Sequence, residues 1–343
     1  MRTTLLLTAL LALAVVPPAQ AQDKVGTTAA PFLGLGVGAR ATAMGGAQVA
    51  LAQGPSALYW NPSAITAMTT NGAEFSNSQW FADSRLQHAA LVFDAGGLGH
   101  FGVSVTALDY GDEAVTAISL CGPSNPVCET GEQWDALDLA VGVTYARALT
   151  DRFSFGGTVK LVRQQIWNES AAGGALDLGI TYDTGFQGIR IGMTMANFGT
   201  DMKLAGPDLR QPIDPVPGQA GNNPRLGANL EVDDWAMPLI FRVGVSAVPY
   251  QSAEQRLTVT ADGNAPADAA QSANVGAEYA WRELLFVRGG WRQAFGPADD
   301  GGWTAGFGLQ YALNRRLSGY FDYVFQNYEP FGTPQMFTLG VTF

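Results

Sequence analysis

The stretch DALDLAVGVTYARA, residues 135–148, decides the fold. Leu137, Leu139, Val141, Val143 and Tyr145 fall on one face of an extended chain, while Asp138, Gly142 and Thr144 fall on the other. Successive side chains of a strand point to opposite sides, so this pattern has the period of a strand and not of a helix. The same alternation returns in 302–313, where Trp303, Ala305, Phe307, Leu309 and Tyr311 oppose Thr304, Gly306, Gly308 and Gln310. In 272–282, Val275, Ala277, Tyr279 and Trp281 oppose Asn274, Gly276 and Glu278. Segments 153–166, 173–183, 188–198, 238–249, 255–263 and 316–327 repeat it.

A soluble β-sandwich alternates too, with its apolar face toward a core. Three features point instead to a membrane β-barrel. The segments run about 9–14 residues, the length a tilted span needs. Aromatic residues sit near segment ends, at Tyr145, Phe153, Tyr182, Tyr279, Trp281, Trp291, Trp303 and Tyr311, where interfacial girdles belong. The second face is small and polar, with isolated charges at Asp138, Lys160, Asp177, Arg190, Arg242, Glu278, Arg288 and Asp322. A lumen tolerates such charges, whereas a sandwich surface carries more of them.

Composition agrees. Only 14% of the 343 residues are charged and 42 are glycine, against about 25% and 7% in an average soluble domain. The net charge of −11 excludes a nucleic-acid binder, which needs a basic footprint. Two histidines and two cysteines are too few for the usual metal sites, and no cofactor motif is present. After the first residues no run of 18 apolar residues occurs, which excludes helical spans.

Strand number follows from parity, because single-chain bacterial barrels have even counts. Fourteen strands are expected, at 73–81, 86–94, 99–109, 135–148, 153–166, 173–183, 188–198, 238–249, 255–263, 272–282, 284–294, 302–313, 316–327 and 335–343. The even-numbered connections are then short, ending with Arg282-Glu283 and Asn314-Arg315. The long pieces 110–134 and 199–237 fall on the other side, as periplasmic turns and outer loops should. Segment 225–232 is expected as a small hairpin inside the outer loop. Phe337, Leu339, Val341 and Phe343 alternate, and Phe343 resembles the terminal signal read by the barrel insertion machinery.

The remaining chain divides in two. Residues 1–21 read as a signal peptide, with Arg2, the apolar run Leu5 to Val16 and the cleavage site Ala19-Gln20-Ala21. Export suits a disulfide between Cys121 and Cys128 in the outer loop 110–134. Residues 22–70 do not alternate. They read as an N-terminal hatch for the barrel of residues 71–343, because small residues and glycines suit close approach inside a lumen.

The hatch contains GLGVGARATAMGGAQVALAQGPSALYWNPSAI, residues 34–65. This stretch resembles the N-terminal signature of the PorV/PorQ outer-membrane barrels, within the wider FadL-like group. The residues that carry the resemblance include Gly38, Arg40, Ala43, Met44, Gly45, Trp60, Asn61 and Pro62. FadL-like proteins have an Asn-Pro-Ala motif in the hatch, and here Ser63 stands in place of the alanine. The resemblance implies a fourteen-stranded barrel in the bacterial outer membrane. It further implies a component of type IX protein secretion that binds substrate domains and shuttles them to secretion machinery. The alternative is a FadL-like channel for small hydrophobic molecules, and a third reading is a structural membrane protein. Besides outer-membrane lipids, the expected partner is a protein, docked on the loop 199–237 through Leu226, Leu230, Trp235 and Met237. An enzyme is excluded: His88 and His100 lie on strands placing them on the order of 15–20 Å apart, with no paired nucleophile. Asp233-Asp234 and Asp299-Asp300 read as solvated loop charge rather than a calcium site.

Overall fold

The structure, a computed structural model, describes residues 26–117, 128–217, 223, 225–294, 301–314, 316–329 and 331–343. The expected signal peptide and Cys121 lie outside the described residues. The strands are β1 (Gly72–Gln79), β2 (Arg85–Asp94), β3 (His100–Thr116), β4 (Glu129–Ala148), β5 (Phe153–Ile166), β6 (Glu169–Asp183), β7 (Arg190–Gly199), β8 (Arg210–Ile213), β9 (Leu226–Asn229), β10 (Ile240–Gln251), β11 (Gln255–Pro266), β12 (Ser272–Trp281), β13 (Leu285–Ala294), β14 (Gly302–Ala312), β15 (Ser318–Gln326) and β16 (Gln335–Thr342). Fourteen of them close an antiparallel barrel in sequence order, with β7 paired to β10 and β1 to β16. β8 and β9 form a separate two-stranded hairpin in the connection between β7 and β10.

Burial along each strand is inverted relative to a soluble protein. Leu137, Val141, Val143 and Tyr145 are exposed, while Asp138, Ala140 and Thr144 are buried. Trp303, Phe307, Leu309 and Tyr311 are exposed, and Thr304 between them is buried. The apolar face therefore looks outward and the polar face inward, which suits a barrel with lipid around it. From Trp303 to Tyr311 the strand rises roughly 27 Å, or roughly 20 Å at a tilt of ~40°, near the height of an apolar membrane band. The two ends of this band carry exposed aromatic rings. Phe93, Phe101, Tyr145, Phe155 and Tyr182 mark one end, and Phe198, Phe241, Trp291, Trp303 and Phe325 the other.

Tight connections follow β2, β4, β6, β10, β12 and β14. Arg282 and Glu283 have φ of 55° and 50°, the left-handed pair that matches strand twist in a short hairpin. This short-turn end also holds both edges of the seam, where Asn71 and Phe343 exchange two 3.0 Å backbone hydrogen bonds.

Three elements are longer than expected by four residues or more. β3 and β4 continue past the exposed apolar band as a protruding ladder, with irregularities between Asp109 and Asp112 and between Ala114 and Thr116. Much of what reads as loop 110–134 is thus sheet. Similarly, β6 begins at Glu169, so β5 and β6 are joined by Trp167 and Asn168 alone. Trp167 takes a φ of 49° to make that turn.

Candidate functional site

The N-terminal segment enters the barrel before β1 and packs against inward-facing residues around its wall. A 3-10 turn (Pro31–Gly34), helix α1 (Ala39–Ala43), helix α2 (Ala57–Trp60) and a second 3-10 turn (Pro62–Ala67) are joined by tight bends. Gly38, Gly45 and Gly46 have φ of 80°, 68° and 73°, so the glycines of the motif occupy bends that a Cβ would strain. Nearly every residue from Val37 to Ala52 is buried.

Glycines of the wall make room for this segment. A Cβ at Gly276 would lie 2.4 Å from the Met44 carbonyl oxygen, one at Gly290 2.3 Å from the Gly45 nitrogen, and one at Gly192 2.2 Å from the Val49 oxygen. Gly156 and Gly179 face Pro62 and Asn61 at similar range, and Gly102 faces Leu58. Gly156 pairs with Gly179, Gly192 with Gly244, and Gly276 with Gly290 across neighbouring strands. The high glycine content is thus partly a smooth inner shelf against which backbone packs on backbone.

Polar contacts fix the fit. Arg40 donates to both oxygens of Glu278, at 2.8 and 3.1 Å. The Gly45 N–H donates to the Thr304 hydroxyl at 3.0 Å, and that hydroxyl donates to the Ala43 carbonyl at 2.9 Å. The Val49 N–H donates to Asp262 at 2.8 Å. Asn61 is fully buried; its amide donates to the carbonyls of Val49 (2.7 Å) and Ile180 (3.1 Å), and its oxygen accepts from the Ser63 N–H (3.1 Å) and hydroxyl (2.7 Å). Ser63 also reaches the Thr181 hydroxyl at 2.7 Å, so the departure from Asn-Pro-Ala adds a bond between segment and wall. The Trp60 ring N–H donates to the Val37 carbonyl at 2.9 Å, and the Arg242 guanidinium lies 5.8 Å from the centre of the Trp60 ring.

Glu278 is the hub of a buried charge network. It accepts from Arg40, from Arg288 at 2.7 Å and from Arg256 at 3.4 Å, while Arg288 also pairs with Asp322 and Arg256 with Glu283. Across the lumen, Lys160 pairs with Asp177 at 2.8 Å and with Asn197. Asn197 has φ 64° where β7 slips register against β6. Its N–H donates to Asp177 at 2.7 Å.

At the end opposite the short turns, the lumen opens into an apolar cavity of about 730 Å³. The N-terminal segment supplies Phe32 and Leu35, and the wall supplies Trp80, Phe81, Leu108 and Trp134. Trp80 and Phe81 stack edgewise with Tyr328, and Phe81 with Phe331.

The remaining expected residues are spread over the molecule. Leu226, Leu230 and Trp235 are exposed on the long connection. Met237 is not: it is buried beside Met202, its methyl 2.6 Å from where a Cβ at Gly173 would stand and its sulfur 2.6 Å from one at Gly199, so it offers no docking surface. Cys128 lies at the start of β4, and the pairing expected for it involves the undescribed Cys121. Phe343 is half-exposed beside the seam. The two histidines do not converge: His88 bonds Thr106 and His100 bonds the Met68 carbonyl. Sequence reading missed Ser63, Thr181, Thr304 and Asp262 as contacts between segment and wall. The lumen-side position of Thr181, Thr304 and Asp262 was readable from alternation, but their partners are backbone groups or hydroxyls far away in sequence.

No protein-family model matches the chain, and no curated protein matches it. Solved structures do share its fold. The Ralstonia pickettii toluene transporter TbuX is 15% identical with a TM-score of 0.54, over 90% of this chain and 97% of that one. The Pseudomonas putida toluene transporter TodX is 13% identical with a TM-score of 0.56, over 90% and 97%. A Pseudomonas aeruginosa FadL homologue is 12% identical with a TM-score of 0.54, over 94% and 99%. A closed fourteen-stranded antiparallel barrel that matches these transporters along nearly its whole length has the fold of the FadL-like outer-membrane barrels.

Proposed function

We propose that this chain is a bacterial outer-membrane channel for small hydrophobic molecules, with residues 22–70 as a hatch inside the barrel of residues 71–343 and residues 1–21 as its export signal. The observation that carries this reading is the aromatic cavity at the long-loop end, floored by the hatch itself. Burial of apolar ligand surface there is favourable by about 25 cal/mol per Å². Phe32 and Leu35 join cavity and hatch in one element, so occupancy of the cavity and position of the hatch are coupled. The similar structures include toluene transporters, and they favour this reading over a type IX secretion role. Passage requires the hatch to shift, because its backbone fills the space above the wall glycines.

The test is a tether. Val49 sits with its Cβ 3.1 Å from where a Cβ at Gly244 would stand, a few tenths of an ångström inside disulfide range; that Cβ would also lie 2.1 Å from Asp262 Oδ1, so the Asp262 side chain must swing aside and the variant's folding is checked first by heat-dependent gel mobility. A Val49→Cys/Gly244→Cys variant, with Cys121 and Cys128 changed to serine, is reconstituted in liposomes. Toluene uptake is expected to stop under oxidising conditions and return on reduction. Uptake that ignores the redox state overturns the moving hatch, and no uptake by the wild-type protein overturns the channel.

One observation favours a second reading, the PorV/PorQ-like shuttle of secreted protein domains. The β8–β9 hairpin stands apart from the barrel sheet and exposes Leu226 and, one residue beyond β9, Leu230. Such a surface suits a protein partner better than a small molecule.

A further inference from the structure

A second cavity, of about 210 Å³, lies at the short-turn end between the hatch and the wall. Its lining holds three arginines, Arg40, Arg256 and Arg288, and four carboxylates, Glu74, Glu278, Glu283 and Asp322. The arginines are all paired with Glu278, Glu283 or Asp322. Glu74, on β1, is the carboxylate left over. Among the described residues it has no cationic nitrogen within 4.0 Å, yet it is buried at 7% exposure.

One oxygen of Glu74 is held and the other is not. The Tyr320 hydroxyl donates to Oε2 at 2.7 Å. The Tyr320 ring lies over Gly340 of β16, where a Cβ would stand 2.0 Å from it. Oε1 is buried and accepts no hydrogen bond. Ser56, just before α2, faces Glu74 from the hatch without closing a bond to Oε1. The two sit together, since a Cβ at Gly38 would lie 3.3 Å from the Ser56 hydroxyl and 3.4 Å from Oε1. A buried carboxylate without a partner is costly, and a positive charge beside it removes that cost. One positive charge also balances the lining as a whole. Buried Phe286 and the Tyr320 ring supply apolar surface, and the cavity reaches solvent beside Glu283 and Gln310, both exposed. Its volume is below that of drug-sized ligand sites, so the ligand is compact.

We propose that this cavity binds a compact primary ammonium, its N–H groups donating to Glu74 and Ser56 and its alkyl body lying against Phe286 and Tyr320. A bare metal ion would leave most of the space to water, for which one probe sphere of volume is enough. An alkylammonium supplies both the charge and the body. The site lies on the side of the hatch away from the aromatic cavity and does not rest on the channel reading.

The full-length protein in detergent and sodium phosphate, free of amine buffers, is titrated calorimetrically with butylammonium, with its neutral counterpart 1-butanol and with potassium. Butylammonium is expected to bind about tenfold or more tightly than 1-butanol, as charge-assisted hydrogen bonds imply. Glu74→Gln keeps an acceptor for Tyr320 and is expected to weaken butylammonium about tenfold, and Ser56→Ala about fivefold. Glu132→Gln, on the protruding part of β4, is expected to leave it unchanged. Equal affinity for butylammonium and 1-butanol overturns the proposal on wild-type protein alone, whether or not the variants fold, and leaves Glu74 a buried neutral acid. Unchanged butylammonium binding in Glu74→Gln overturns the location. Potassium binding as tight as butylammonium overturns the organic body. Toluene uptake without a preference for butylammonium removes this site and spares the channel, and the preference without uptake does the reverse.

Discussion

Adjacent glycines of β13 provide a sharp test of how hatch and wall fit. Gly289 and Gly290 are neighbours on opposite faces of one strand. A Cβ at Gly289 meets nothing nearer than the Thr304 carbonyl oxygen at 3.8 Å, whereas one at Gly290 lies 2.3 Å from the backbone of Met44 and Gly45. Ordinary contact begins near 3.4 Å, so Gly290→Ala pushes the hatch inward by about 1 Å. Overpacking of this size costs about 1–3 kcal/mol. The same shift stretches the 3.0 Å bond from the Gly45 N–H to Thr304, worth about 0.5–1.5 kcal/mol. Together these give a loss on the order of 2–4 kcal/mol. The strand itself gains from alanine, by about 0.5–1 kcal/mol. Gly289→Ala is therefore expected to be neutral or stabilising in denaturant unfolding of the detergent-solubilised barrel, with unchanged conductance in planar bilayers. Gly290→Ala is expected to unfold at lower denaturant and to show raised, noisier conductance from a loosened hatch. If the two variants match in stability and conductance, the hatch does not rest on the wall at this point.

Three further outcomes follow from the same contacts. Glu278→Gln leaves three arginines around a neutral amide and is expected to cost about 3–5 kcal/mol in unfolding experiments; adding Arg40→Met should recover part of that loss, and additive losses would refute the hub. Ser63→Ala, although it restores the Asn-Pro-Ala pattern, is expected to cost about 1 kcal/mol through the lost bonds to Asn61 and Thr181, and an unchanged unfolding midpoint would count against that contact. Replacing residues 204–230 by a short Gly/Ser link is expected to leave the heat-dependent gel mobility of a folded barrel intact; unaltered capture of a secreted protein domain would dismiss the hairpin as a docking surface.

The barrel was legible in the sequence because an apolar outer face and a polar lumen impose alternation. Strand number and turn sides followed, since each misplaced strand would have exchanged the long and short connections. Legibility stopped where that constraint stops. Asp109, Asp112, Glu113, Glu129 and Glu132 broke the alternation, yet β3 and β4 continue through them because sheet beyond the apolar outer band need not alternate. The first residues of β6, Glu169 to Ala172, were hidden because the turn before them is made by Trp167, a bulky residue in a left-handed conformation. Met237 failed as a docking residue because hydrophobicity does not say what covers a side chain. The contacts of Asp262 and Thr304 were beyond reach because backbone N–H groups of residues 213 and 259 positions away are their partners.

The seam has a consequence for assembly. Asn71 is the last residue of the hatch connection, and its N–H and carbonyl both bond Phe343, just past the end of β16. The first and last edges of the sheet thus meet where the chain leaves the interior. Zipping the final strand onto the first therefore also fixes the point where the segment leaves the interior. A barrel still open at this seam would hold the segment only through its contacts to other strands, such as Arg40 to Glu278 and Asn61 to the Ile180 carbonyl.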